Sequence, residues 1–262
     1  MVFLSWTQPT PKDQKDCINK SGSFNYDIKF RGATAKPFSK LKEDKELKKD
    51  GFLINHSRIL VGSGSDAFEK GKTALQTWRH FGLSWAFVEP KTPIEKGVKF
   101  CVCVKEFVPW LRMPLEVVYV NDTRTPKTDV ASFGFGGGTL KGHLLAGEER
   151  FSIEMDGNKQ VWYEILSFSK PAHPLSVVGM LQPSCLLSHY NHQSEKMNGP
   201  LDNNLLLEHL IFQTFLPPGG CKVGNENLRW HDRIEEVFHD VIASDTDDIH
   251  GTLKQKISFR PT

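Results

Sequence analysis

The sequence predicts an α+β fold, a predominantly antiparallel sheet with one packed helix, and three observations predict it. Val98, Phe100, Val102 and Val104 alternate with Lys99, Cys101, Cys103 and Lys105, the period-two pattern of a strand with two distinct faces. Residues 149–155 and 160–168 alternate in the same way around Asp156-Gly157-Asn158, a strong hairpin signal. Between Leu115 and Phe168 there is no room for the helical crossovers that parallel strands require, so neighbouring strands must run antiparallel.

The remaining elements follow in chain order. Residues 52–61 read as a strand, with Ile54, Ile59 and Val61 apolar, and end at Gly62-Ser63-Gly64. Phe68, Ala74, Leu75, Trp78 and Phe81 share one face at helical spacing, which predicts a helix over 66–81 opened by an Asp66/Glu69 capping box and stopped by Gly82. Residues 115–120 form a short strand behind Pro114. Glycines interleaved with Phe133 and Phe135 suggest a strand bent through a bulge. Beyond Val178, residues 201–216 and 229–242 read as packing helices. The chain therefore divides into an N-terminal extension, 1–50, packed on the core or partly mobile, an α+β domain, 51–178, and a divergent C-terminal segment, 179–262. The first carries net positive charge and the last net negative. The mixed charges of 40–49 read as a solvated surface.

Composition removes several function classes. With 39% hydrophobic and 24% charged residues the chain is neither disordered nor fibrous, and no apolar run approaches the ~20 residues of a spanning helix. A balance of 33 basic against 31 acidic residues gives no basic face for nucleic acid. Five cysteines without a CxxC pair indicate neither a disulfide framework nor a zinc ribbon, and fit a reducing compartment. The first residues lack the apolar stretch of a secretory signal, and Asp13 and Asp16 argue against a transit peptide, so cytosol or an organelle's cytosolic face is expected.

Candidate chemistry is sparse. Gly62 to Ala67 fits G-x-G-x-x-A between a strand and a helix, with Glu89 downstream for a ribose hydroxyl, but one such unit among hairpins does not make a dinucleotide fold. His143 with Glu148 and Glu149 supplies groups for acid–base or metal chemistry, yet only one of the two carboxylates can share a strand face with the imidazole. The glycine run 134–138 lacks the ending of a phosphate loop. No metal, cofactor or catalytic set is expected.

Several stretches, read together, resemble a family of bacterial and plant proteins sharing a domain of unknown function, whose plant members include a small pore protein of the chloroplast outer envelope. They are MVFLSW at 1–6, SGSFNYD at 21–27, GFLINHSRILVGSG at 51–64, FGFGGGTLKGHLLAGEERF at 133–151 and SFSKPAH at 167–173. The resemblance covers residues 1–178 and implies no catalytic residues. It implies cation passage across the chloroplast outer envelope, with a lipid bilayer as partner and an oligomer to complete the pore, since about seven strands cannot line an open channel. The strand–helix–strands order is also similar to the START-like helix-grip arrangement, which implies a soluble domain enclosing an apolar ligand or lipid. Trp78, Phe133, Phe135, Thr139, His143 and Glu148 are the expected lining residues on either reading. The two readings differ in whether Phe100, Val102 and Val104 meet lipid or turn inward onto the helix bearing Trp78.

Overall fold

Asp156 sets the register from which the sheet grows. Its carboxylate accepts from the backbone N–H groups of Asn158 (2.9 Å) and Gln160 (3.0 Å) and from the indole of Trp162 (3.1 Å), closing the turn between β7 (Leu145–Met155) and β8 (Gln160–Pro171). The computed structural model describes residues 2–82, 85–105, 109–125, 129–173 and 176. Outward from this hairpin, β6 (Val130–Thr139) pairs with β7, β5 (Trp110–Thr125) with β6, β4 (Lys99–Lys105) with β5, and β3 (Ala86–Phe87) with β4. On the other side β2 (Leu53–Ser63) pairs with β8. Every pairing is antiparallel, in the order β2-β8-β7-β6-β5-β4-β3, and β1 (Phe3–Ser5) adds to β5 at Trp110 to Arg112. This is the α+β antiparallel class that the sequence predicts. The helices at 201–216 and 229–242, and the C-terminal segment 179–262, lie outside the described residues.

Alternation gives the sheet two faces, and both are covered. One face carries Ile59, Phe133, Phe135, Phe151, Ile153 and Tyr163 and packs against α4 (Gly64–Gln76) through Phe68 and Leu75. The opposite face carries Leu166 and Phe168, which pack under residues 24–52 with Tyr26, Phe30, Leu41, Leu47 and Phe52. The mixed-charge run 40–49 thus forms α2 (Phe38–Lys42) and α3 (Lys45–Lys49), whose charged faces are solvated as expected while wholly buried Leu41 and Leu47 pin them to the sheet. A third cluster seats α1 (Pro11–Lys20) on β4 and β5. There Cys17 joins Cys101 and Cys103, whose sulfurs lie 3.9 Å apart, and all three thiols are buried. The N-terminal extension is therefore packed along the sheet.

Helix boundaries differ from expectation for physical reasons. No capping box forms at Asp66, because α4 begins two residues earlier behind Ser63. Asp66 and Glu69 instead pair with Lys70 (3.4 Å) and Arg124 (3.2 Å). The capping box that does form is Thr10 with Asp13, at α1. α4 ends before Gly82, because Trp78 adopts the left-handed conformation (φ 59°) and a short 3-10 turn follows. For a bulky residue that conformation costs about 1–2 kcal/mol. Burying the ring against Phe100 and Phe135, with the indole N–H donating to Thr92 O at 2.8 Å, offsets it.

Gly71 sets how closely α4 approaches the sheet. A Cβ at this position would lie 2.8 Å from Ile153 Cγ1 and Cδ1. We therefore expect Gly71→Val to destabilise the protein by about 1–3 kcal/mol despite glycine's poor helix propensity. In urea unfolding, shortening the opposing side chain by Ile153→Val should recover part of the loss in the double variant.

Candidate functional site

β7 carries Glu148, Arg150, Ser152 and Glu154 on the face opposite α4, and each of the four meets the N-terminal segment or a neighbouring strand. Glu148, 2% exposed, is bound by four donating groups from three residues between 26 and 34. Gly32 N–H (2.8 Å), Thr34 N–H (3.0 Å) and Tyr26 Oη–H (3.0 Å) reach its carboxylate, joined by the Thr34 hydroxyl. Arg150 donates through Nη1 to the carbonyls of Thr34 (2.8 Å) and Lys36 (3.3 Å) and through Nη2 to Glu164. These bonds hold residues 32–36 above the sheet as a strap.

Beneath and beside the strap lies a cleft of about 480 Å³. Register places Ser152 between Glu164 on β8 and Gly134 on β6, and these residues make the floor together with Ser132. Gly134 has to be glycine, since a Cβ would meet Ser152 Cβ at 2.7 Å and fill the floor. Pro37, Phe38 and Ser39 form one wall, and Arg58 and His56 of β2 form another. The Phe38 and His56 rings stack with centroids 4.1 Å apart, and His56 Nε2 lies 3.5 Å from Glu164. Arg58 lies between Glu154 (3.4 Å) and Glu164 (3.8 Å) and over the ring of Trp162.

Two buried side-chain atoms of the cleft-lining residues have no hydrogen-bond partner, Ser152 Oγ and Arg150 Nε, and the Arg150 side chain also meets the Tyr119 hydroxyl. The two carboxylates are driven apart in acidity. Burial, reinforced by the charge of Glu164, raises the pKa of Glu154. Burial also opposes ionisation of Glu164, but the bond from His56 and the charge of Arg150 outweigh it and hold its carboxyl below the ordinary value.

The lining residues expected from sequence do not meet in this cleft. Trp78, Phe133 and Phe135 are core: Trp78 contacts Phe100 and Phe135 at ring separations of 4.7 and 5.2 Å, and Phe135 contacts Phe151 at 5.6 Å. Thr139, His143 and Glu148 are latches. The Thr139 hydroxyl donates to Asn25 Oδ1 (2.6 Å) and accepts from Gly147 N–H (2.9 Å). His143 closes a tight turn by accepting from Leu145 N–H at 3.0 Å, and burial lowers its pKa to about 3. Among the described residues no three His, Cys, Asp or Glu side chains are grouped to hold a metal.

The dinucleotide reading of 62–67 fails on topology. β2 lies at an edge, antiparallel to β8, and α4 leads away to β3 at the other edge, so among the described residues no parallel strand completes the crevice. The residues that sequence reasoning missed are Arg150, Ser152, Glu154 and Glu164, along with His56, Arg58 and Phe38. One signal was available: the Asp156-Gly157 register sets Ser152 opposite Glu164, with Arg150 diagonal to it, on one polar face.

Fold and cleft together define a single-sheet α+β domain with a polar cleft beneath an N-terminal strap. The chain belongs to the family described as "Domain of unknown function (DUF1990)", whose profile matches residues 39–196. It is 59% identical to the UPF0548 protein At2g17695 of Arabidopsis thaliana over 196 residues, covering 74% of this chain and 96% of that one. A UPF0548 protein of Dictyostelium discoideum is 32% identical, over 68% of this chain and 85% of its own. Among solved structures, the crystal structure of Ara h 8.0201 is similar with a TM-score of 0.36 and 7% identity, over 74% of this chain and 99% of that one.

Two outcomes are expected. Glu148→Ala leaves the N–H groups of Gly32 and Thr34 without an acceptor and should cost about 3 kcal/mol or more in urea unfolding. Glu164→Gln should be destabilising at neutral pH. Because the folded pKa of Glu164 is depressed, its contribution is present above the ordinary value of 4.5 and is lost as pH falls through the depressed one. The stability gap between wild type and Glu164→Gln should therefore shrink in acid.

Proposed function

We propose that the protein is a non-enzymatic binding domain that holds a polar small molecule in the cleft between β6–β8 and residues 34–39. The observation that carries this reading is Ser152, 3% exposed, with an unpartnered hydroxyl on the cleft floor. A buried hydroxyl left unpaired costs about 1–3 kcal/mol, which a bound polar group would recover. The cleft's volume falls within the usual range for small-molecule sites, and its charged groups are paired with one another rather than standing as an isolated acid or base.

The observations favour this over the two readings that resemblance suggested. An apolar ligand between sheet and helix would have to displace Trp78, Phe100, Phe135 and Phe151, which already fill that space with one another. Ion passage through an envelope membrane needs Phe100, Val102 and Val104 to face lipid. Here all three are buried in the α4-side core, each worth about 1.5–3 kcal/mol of burial. The sheet's terminal strands, β2 and β3, do not pair with each other.

Thermal denaturation in the presence of a set of polar metabolites and of laurate tests the reading. A ligand at 100 times its Kd adds ~2.7 kcal/mol, which is several degrees in Tm. Wild type should show such a shift with a polar compound, and Ser132→Trp, which fills the cleft, should lose it. A shift with laurate alone, unchanged in Ser132→Trp, would place the ligand on the α4 side and overturn the proposal.

A further inference from the structure

Taking the cleft as a binding site, as above, we infer that its ligand is a neutral polyhydroxyl compound of mono- or disaccharide size. The charges of the site are balanced before anything binds. Arg150 is bound to Glu164 and to the carbonyls of Thr34 and Lys36, and Arg58 is shared between Glu154 and Glu164. A phosphate or carboxylate could take the Arg150 nitrogen that faces Glu164 only by displacing that residue, whose side chain is 8% exposed, and would leave its carboxylate buried without its partner. An ammonium group would meet the two guanidinium groups with the same difficulty in reverse. Charged ligands are therefore disfavoured on both signs.

What the site leaves open is mixed hydrogen bonding. Arg150 Nε can only donate, the Ser152 hydroxyl donates and accepts, and both are buried without partners two residues apart on one face of β7. A ligand hydroxyl at Ser152 can donate to its hydroxyl or accept from it. Glu154 accepts at the rim, and Asn121 offers both functions there. A sugar hydroxyl donates and accepts at the same atom, so a ring bearing adjacent hydroxyls satisfies this alternation where an amine, a carboxylate or a hydrocarbon does not. Pro37 and Phe38, the latter held flat against His56, supply an apolar wall for the ring's C–H groups.

Saturation-transfer NMR and calorimetry on the full chain, with D-glucose, D-galactose and sucrose at millimolar concentration and citrate and laurate for comparison, test this. At least one neutral sugar should bind, and Ser132→Trp should abolish the signal. Ser152→Ala should weaken that sugar about tenfold, the worth of one good hydrogen bond, while leaving Tm unchanged or higher, because the deleted hydroxyl has no partner in the fold. If citrate binds, the sugars do not, and Ser132→Trp removes citrate, the ligand class is wrong and the cleft stands. If laurate alone binds and Ser132→Trp leaves it unaffected, the class and the cleft both fail. Silence from every sugar, or a Ser152→Ala protein that loses stability or keeps full sugar affinity, also overturns the inference.

Discussion

A carboxylate removed from water has to be satisfied where it lies, and Glu148 is where this protein meets that requirement. Its acceptors are filled by groups 114 to 122 residues earlier in the chain, on Tyr26, Gly32 and Thr34. Meeting that demand fixes the path of residues 26–34, and Arg150, two residues further along the same strand face, fixes the next few by donating to the Thr34 and Lys36 carbonyls. The strap over the cleft is thus a consequence of two ionic residues on β7. Phe38 follows directly after these anchors, which brings its ring onto His56 and closes the wall. Ser152 and Glu154 continue the same face into the open part of the cleft.

The glycines of β6 belong to the same arrangement. Gly134, Gly136 and Gly138 all lie on the strap side, where β7 places its polar residues. A side chain at Gly136 would collide with the ring of Tyr119, which lies across from it on β5, and one at Gly138 would collide with Tyr26. Absence of side chains on that one strand lets two tyrosines lie flat on the sheet. Tyr119 then reaches the Thr34 hydroxyl at 2.9 Å, and Tyr26 reaches Glu148. Bulky residues on the alternate positions, Phe133 and Phe135, point to α4 and keep that face dry.

Strands were legible from period-two alternation, and the hairpin from Asp-Gly, because both signals are local. β7 and β8 fall within a few residues of their expected limits, and so does β4. What alternation cannot say is whether a polar face meets water or another segment of the chain. Arg150, Ser152 and Glu154 have the pattern of a solvated face, and it takes the packing of Leu41, Leu47 and Phe52 onto Leu166 and Phe168 to show that the N-terminal segment covers part of it. The same blindness to long-range partners made Thr139 and Glu148 look like ligand groups, whereas His143 is held by Leu145 only two residues on. Buried polar side chains and ligand-binding ones have identical compositions; only their partners differ, and here the partners include Asn25 and Thr34. Trp78 escaped for another reason: its left-handed backbone is a place sequence rules reserve for glycine.

The pairing of β2 with β8 has a temporal side. A ribosome delivers β2 and the segment before it first, yet among the described residues β2 has one hydrogen-bonding neighbour, and that neighbour is the last described strand of the sheet. At 5–20 residues per second the gap is on the order of 10 s. Through that interval the Tyr26, Phe30, Leu41, Leu47 and Phe52 side chains have none of their β8 partners to bury against, and the Glu148 carboxylate that anchors the strap does not yet exist. The apolar side chains of residues 26–52 therefore stay uncovered by β8 until Leu166 and Phe168 have been made.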